Sequence, residues 1–80
     1  MFHRIRSVSP LPEKRLLVSF LDSSVRIYDM KPLIETHPAF FPLREQALFS
    51  QARVDAGGYA VIWNDDVDLS CNELWEHGKA

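Results

Sequence analysis

Residues 14–29 read KRLLVSFLDSSVRIYD, and the fold turns on how this stretch is paired. From Lys14 to Phe20 the pattern alternates, with Leu16, Val18 and Phe20 on one side and Arg15, Leu17 and Ser19 on the other. Successive side chains of a strand point to opposite faces, so this period of two predicts a half-buried strand. Ser24 to Asp29 alternates again, Val25 and Ile27 against Arg26 and Tyr28. Asp22-Ser23 is read as a two-residue hairpin turn between them. In that register Val18 lies opposite Ile27 and near Ile5. One face then carries Ile5, Leu16, Val18, Phe20, Val25 and Ile27 and is the expected core. The other carries Arg4, Arg6, Arg15 and Arg26 with Leu17 and Tyr28, a basic face with some apolar content.

Working outward, residues 3–9 read as a strand, ended by Pro10-Leu11-Pro12 because proline cannot donate to a ladder. Downstream, Asp29 is placed to accept from the free N–H groups of a first helical turn. Pro32 is tolerated in that turn, and Met30, Leu33 and Ile34 form an apolar stripe. His37-Pro38 ends this helix, since the residue before proline is pushed out of helical geometry. Phe40 and Phe41 fall in a connection. Pro42 opens a second short helix over 43–49, with Leu43, Ala47 and Leu48 facing inward.

Residues 51–55 and 59–63 form a hairpin around Gly57-Gly58, which supplies the positive-φ positions of a tight turn. Val54, Val61 and Trp63 share a face in that register. Asn64-Asp65-Asp66 is a turn. Ser70 and Glu73 have the spacing of a capping box, Leu69 and Leu74 that of a hydrophobic staple. Cys71, Leu74 and Trp75 form the apolar side of the last helix, with His77 near its negative end and Gly78 just past it. The expected fold is α+β, a small antiparallel sheet with short helices in the order βββααββα, as one domain over residues 1–80.

Composition excludes several classes. Eighty residues are too few for two ordinary domains. A hydrophobic fraction of 46% is too high for a disordered tail. One cysteine makes no internal disulfide, and it fits a reducing, cytoplasmic setting. The basic start Met1-Phe2-His3-Arg4-Ile5-Arg6 lacks the apolar run of a signal peptide, and no run reaches the roughly 20 residues of a membrane span. The net charge of −2 is unevenly placed: residues 1–31 carry +3 and residues 32–80 carry −5. The halves can pack with complementary fields, or a basic face can meet an acidic partner.

Specific chemistries fare poorly. A calcium loop starting at Asp66 would need glycine where Cys71 stands and glutamate where His77 stands. His3, His37 and His77 lack metal-ligand spacing, so no metal and no cofactor are expected. Cys71 reads as a packed residue rather than a nucleophile, with no base beside it. No nucleophile elbow and no phosphate loop are present, so an enzyme is not expected and no catalytic residue is assigned.

The order of features resembles the small bacterial family called domain of unknown function 2442. They are the extended start through Val8, Leu16-x-Val18-x-Phe20, and Val25-x-Ile27-x-Asp29-Met30-x-Pro32-Leu33. The stretch Leu43 to Phe49, Val61-x-Trp63 and Asp68-Leu69-Ser70…Leu74 complete the set. The resemblance implies a compact α+β domain, found alone or joined to a helix-turn-helix domain, and a link to toxin–antitoxin-like pairs. It carries over no catalytic residue. Asp29, Trp63, Asp68, Ser70 and Glu73 are read as the structural motif, and the family pattern singles out Asp68, expected to fix the helix entry. Family members usually have glycine in two turns where this chain has Leu21-Asp22-Ser23-Ser24 and Asn64-Asp65-Asp66-Val67.

The functional expectation is a non-enzymatic protein-interaction or regulatory module, antitoxin-like in one form, with a protein partner or self-association. The contact face would hold Arg4, Arg6, Arg15, Arg26 and Tyr28. The alternative is a nucleic-acid-binding accessory domain in which those arginines meet phosphates and Tyr28 stacks. A small enzyme is the third reading.

Overall fold

A computed structural model of the chain describes residues 2–80; Met1, which opens the basic start, lies outside them. The order is β1 (Ile5–Leu11), β2 (Arg15–Phe20), β3 (Val25–Asp29), α1 (Lys31–Thr36), a 3-10 helix (Pro38–Arg44), α2 (Gln46–Phe49), β4 (Arg53–Val54), β5 (Ala60–Asn64), β6 (Val67–Ser70) and α3 (Cys71–His77). The fold is α+β, as expected, but its strands form two three-stranded antiparallel sheets, β1-β2-β3 and β4-β5-β6. The added strand is β6, where Val67 and Leu69 alternate with Asp68 and Ser70 and turn inward. The connection through Phe40 and Phe41 is the 3-10 helix, and the second α-helix is confined to four residues after it.

The first strand continues through Pro10, which pairs with Leu16. Proline is accommodated because β1 is an edge strand of its sheet. The chain reverses at Glu13 and Lys14, both at positive φ. Two contacts hold this costly geometry: the Met30 N–H donates to the Lys14 carbonyl at 2.9 Å, and Lys31 Nζ donates to the Glu13 carbonyl at 2.8 Å.

The central hairpin differs from its expected register by one residue. Phe20 N–H donates to the Ser24 carbonyl, so three residues, Leu21, Asp22 and Ser23, form the loop. Ser23 takes the left-handed conformation at φ 76°, and the Asp22 carboxylate accepts from both the backbone N–H and the hydroxyl of Ser24. Val18 consequently faces Arg26, Leu17 faces Ile27, and Leu16 faces Tyr28. A slip of one residue exchanges the two faces of a strand. Tyr28 is buried, whereas Val25 and Ile27 are 43% and 37% exposed.

The core lies between the sheets and the helices. Ile5, Leu16, Val18, Phe20 and Tyr28 meet Val61, Trp63, Val67 and Leu69, with Met30, Ile34, Leu43, Phe49, Cys71 and Leu74 from the helical segments. Phe49 takes the inward place expected for Ala47, which is exposed. Trp63 is buried, and its indole N–H donates to the Phe49 carbonyl at 3.1 Å. The Gly57-Gly58 turn joins the sheets: Ile5 N–H donates to the Gly58 carbonyl at 2.7 Å. Gly58 has φ 77°, and a Cβ there would lie 2.8 Å from the Ile5 carbonyl oxygen.

The last helix begins as its sequence suggests. Ser70 Oγ accepts from Glu73 N–H at 3.2 Å, and Leu69 and Leu74 are buried. Asp68 stands on the exposed side of β6 opposite Ile62, so the helix entry is held by Ser70. The Glu73 carboxylate reaches elsewhere, and that contact shapes the principal cleft. No helix among the described residues is long and apolar enough to cross a membrane.

Candidate functional site: the cleft beside the third strand

The five residues expected on one face are divided: the register of β3 parts Arg26 and Tyr28 from Arg15, and Arg4 and Arg6 lie at the start of β1. Arg4 lies by the β4–β5 turn; its Nε donates to the Gly57 carbonyl at 2.8 Å and its guanidinium sits 5.1 Å from the Tyr59 ring centre. Arg6 donates to the Leu21 carbonyl at 3.0 Å, beside the irregularity between Ile5 and Ser7. Arg26 points to the core side, its guanidinium 4.1 Å from the Trp75 ring centre. A Cβ on Gly78 would come within 2.9 Å of Arg26 Cβ, so the glycine makes room for this packing. His3 stacks on the same indole, with ring centres 3.7 Å apart. Of the five, Arg15 and Tyr28 line one cleft, while Arg4 and Arg6 line a separate pocket beside the β4–β5 turn.

That cleft has a volume of about 650 Å³ and runs along β3, between α1 and α3. Its floor is apolar: Ile27 from β3, Pro32 and Leu33 from α1. Both helix segments are positioned by local chemistry. Asp29 Oδ1 accepts from Lys31 N–H at 3.0 Å and pairs with Lys31 Nζ at 3.0 Å, fixing the entry to α1. Burial alone would raise the Asp29 carboxyl, but the N–H and ammonium of Lys31, helped by the charge of Arg15, outweigh it and hold the group below its ordinary value.

The other wall is a hydrogen-bonded row. Tyr28 donates its hydroxyl proton to Glu73 Oε2 at 2.8 Å, and His77 Nδ1 lies 3.0 Å from the same oxygen, one turn along α3. Burial, and then the Glu73 carboxylate, push the Tyr28 phenol well above its ordinary value. The phenol is therefore neutral across the physiological range and acts as a donor that anchors α3 to β3. Beyond the helix, Lys79 pairs antiparallel with Ile27 through two backbone bonds of 2.7 and 2.8 Å. An edge strand exposes unpaired N–H and C=O groups that invite pairing with another chain. Here Lys79 closes that edge at its midpoint.

The cleft adjoins the outer face of the first sheet. Alternation places Leu17, Val25 and Ile27 there, with Arg15 and Ser19; Val25 and Ile27 are exposed, and Leu17, Arg15 and Ser19 are half-buried. The residues sequence reasoning missed are Ile27 as an outward group and Leu33 and Lys79 as its neighbours. The deciding feature is the length of the Leu21–Ser23 loop, which no glycine marks in the sequence. Three residues there, in place of two, exchange the faces of β3.

The remaining groups are structural in their surroundings. Cys71 is buried, its N–H bonded to the Tyr59 carbonyl at 2.8 Å. Among the described residues, no three His, Cys, Asp or Glu side chains gather as a metal site requires. No curated protein and no solved structure matches the chain. The features that position the cleft, from the β2–β3 alternation to the Ser70 cap, all fall within residues 5–80, which match the model of a family described as protein of unknown function, and the chain belongs to that DUF2442 family.

Proposed function

We propose that this domain is a non-enzymatic protein-interaction module of the regulatory kind, docking a protein partner on the outer face of its first sheet and in the adjoining cleft. One observation carries the reading. Ile27, at the middle of a strand, is 37% exposed, and it is continuous with Leu17 and Val25 on the sheet face and with Leu33 and Pro32 across the cleft. Contiguous exposed apolar surface marks interaction sites more often than scattered single residues do. An enzymatic reading finds less support, because the cleft's Tyr28, Glu73 and His77 are engaged with one another. The antitoxin-like role implied by the resemblance is one form of this function. The nucleic-acid reading asked for one surface shared by four arginines; Arg4 and Arg6 share a pocket, but Arg15 lies in the cleft and Arg26 on Trp75.

The test is a paired substitution, Leu17→Glu with Ile27→Glu, in the full chain. Ile27 is exposed and Leu17 half-buried on the outer face, so the double variant should remain folded with a modestly lowered melting temperature. Retention of the native partner from host extract, confirmed with that partner purified, should fall at least about tenfold, equivalent to about 1.4 kcal/mol. Undiminished retention by a folded double variant would remove this surface from consideration.

A further inference from the structure

The charges around the cleft are not balanced alike. Its two acids are engaged internally: Asp29 pairs with Lys31, and Glu73 accepts from Tyr28 and pairs with His77. Its two strongest bases make no close ion pair, although Arg15 stands across the strand from Asp29 and its charge favours that carboxylate. Among the described residues, neither Arg15 nor Lys79 has a carboxylate within 4.0 Å. Arg15 spends its Nε on the Pro12 carbonyl at 3.1 Å, which leaves the terminal nitrogens of the guanidinium. A guanidinium so oriented is suited to two parallel hydrogen bonds with a carboxylate. Between these cations lies the apolar floor of Ile27, Pro32 and Leu33.

The strand edge adds a constraint. Lys79 already bonds both backbone groups of Ile27, so an incoming chain cannot simply extend the sheet at that point. Recognition must come from side chains entering the cleft. Nucleic acid fits this poorly, since the floor is aliphatic, Tyr28 is buried and gives its hydroxyl to Glu73, and the His77 ring is paired with the same carboxylate.

Resting on the docking surface proposed above, we propose that the cleft takes an extended acidic segment of a protein partner. An aliphatic side chain of that segment sits on Ile27 and Leu33, and a neighbouring carboxylate meets Arg15 or Lys79. Exposed charge pairs are individually weak, so the apolar contact holds the segment and the cations select its sign.

The probe is a labelled octapeptide of alternating leucine and glutamate, followed by fluorescence polarisation and by amide shifts in nuclear magnetic resonance. A leucine–lysine peptide and a serine–glutamate peptide are the controls. The leucine–glutamate peptide should bind saturably, shift the amides of Ile27, Leu33 and Lys79, and weaken with added salt. Arg15→Gln and Lys79→Gln should each weaken it about threefold, and together about tenfold. The controls should bind at least about tenfold more weakly. No binding at about 1 mM peptide, equal binding of either control, or indifference to the double substitution would overturn the proposal. So would self-association of the purified chain that Ile27→Glu abolishes, because a second copy would then be the occupant. The two layers fail separately. If partner retention is lost in Leu17→Glu/Ile27→Glu but unchanged in Arg15→Gln/Lys79→Gln, the docking surface stands and the acidic occupant falls. If the first pair leaves retention intact, the surface itself falls.

Discussion

The two sheets contribute inner faces to one core, yet their outer faces are built differently. On the second sheet the outward row across the strands is Arg53, Ile62 and Asp68, a half-buried aliphatic flanked by exposed charges. On the first sheet the corresponding face carries exposed Val25 and Ile27 beside half-buried Leu17, with Arg15, Ser19 and Asp29 at its margins. Antiparallel sheets commonly present one polar, solvated face. The second sheet follows that pattern and the first departs from it. The departure is economical for so small a domain. Stability resides in the shared interior, leaving outward apolar residues on the first sheet available for contact without weakening the fold.

Trp63 and Ile27 should break this comparison most sharply. Trp63→Ala removes the largest buried side chain and the bond to the Phe49 carbonyl. Losses of about 3–5 kcal/mol accompany such truncations, against a total of roughly 4–12 kcal/mol for a domain of this length. The variant should be largely unfolded at 37 °C or melt far below the parent, measured by urea titration with circular dichroism. Ile27→Glu, at an equally central strand position, should shift stability by no more than about 0.5 kcal/mol. Comparable losses for both would mean that the outer face of the first sheet is not free.

The junction between the sheets is the next point of stress. Gly58→Ala forces a side chain into left-handed geometry, at about 1–2 kcal/mol, and drives a Cβ to 2.8 Å from the Ile5 carbonyl oxygen. The expected result is a loss of about 2–3 kcal/mol together with faster hydrogen exchange at the Ile5 amide, which donates across the junction. Exchange unchanged at Ile5 would show that the sheets are held together by side-chain packing alone.

Legibility in the sequence also divides between the sheets. The β4–β5 hairpin was readable because Gly57-Gly58 states its turn, and Ser70 and Glu73 state the start of α3. Strand β6 was hidden behind that helix signal, since Val67 and Leu69 form too short an alternation to stand alone. In the first sheet the strands were evident but their pairing was not. Without a glycine, the loop at Leu21–Ser23 gives no sign that Ser23 adopts a left-handed conformation. The unread residue moved Tyr28 and Arg26 inward and Ile27 outward, so the candidate site changed with it. The cleft itself joins β3 to residues 32–33 and 73–79, and no local pattern announces such distant neighbours.

Tyr28 tests how firmly the first sheet holds α3. Tyr28→Phe keeps the ring and removes the proton donated to Glu73, which should cost about 1–2 kcal/mol. It should also alter the alkaline limb of stability. The folded phenol is raised above its unfolded value of about 10. Its contribution is therefore fully present below pH 10 and is lost as pH rises through the folded value. Thermal melts from pH 8 upward should decline more steeply for the parent than for the variant above about pH 10. Parallel declines would detach Tyr28 from the alkaline transition.

Ser70 supplies the anchor of the same helix to the second sheet, and its effect is the smallest. Ser70→Ala deletes the acceptor for Glu73 N–H, a cap worth about 1 kcal/mol. Both anchors end on Glu73, one at its backbone and one at its carboxylate. If α3 is a rigid strut between sheets, the cap fixes the residue whose side chain Tyr28 grips. A double-mutant cycle of Tyr28→Phe with Ser70→Ala should then show about 0.5 kcal/mol of coupling by urea denaturation. The double variant should lose less than the two single variants added together, because once either anchor is gone the other holds a helix end already free to fray. Strict additivity would mean that the sheets grip α3 independently, with the cleft wall set by the first sheet alone.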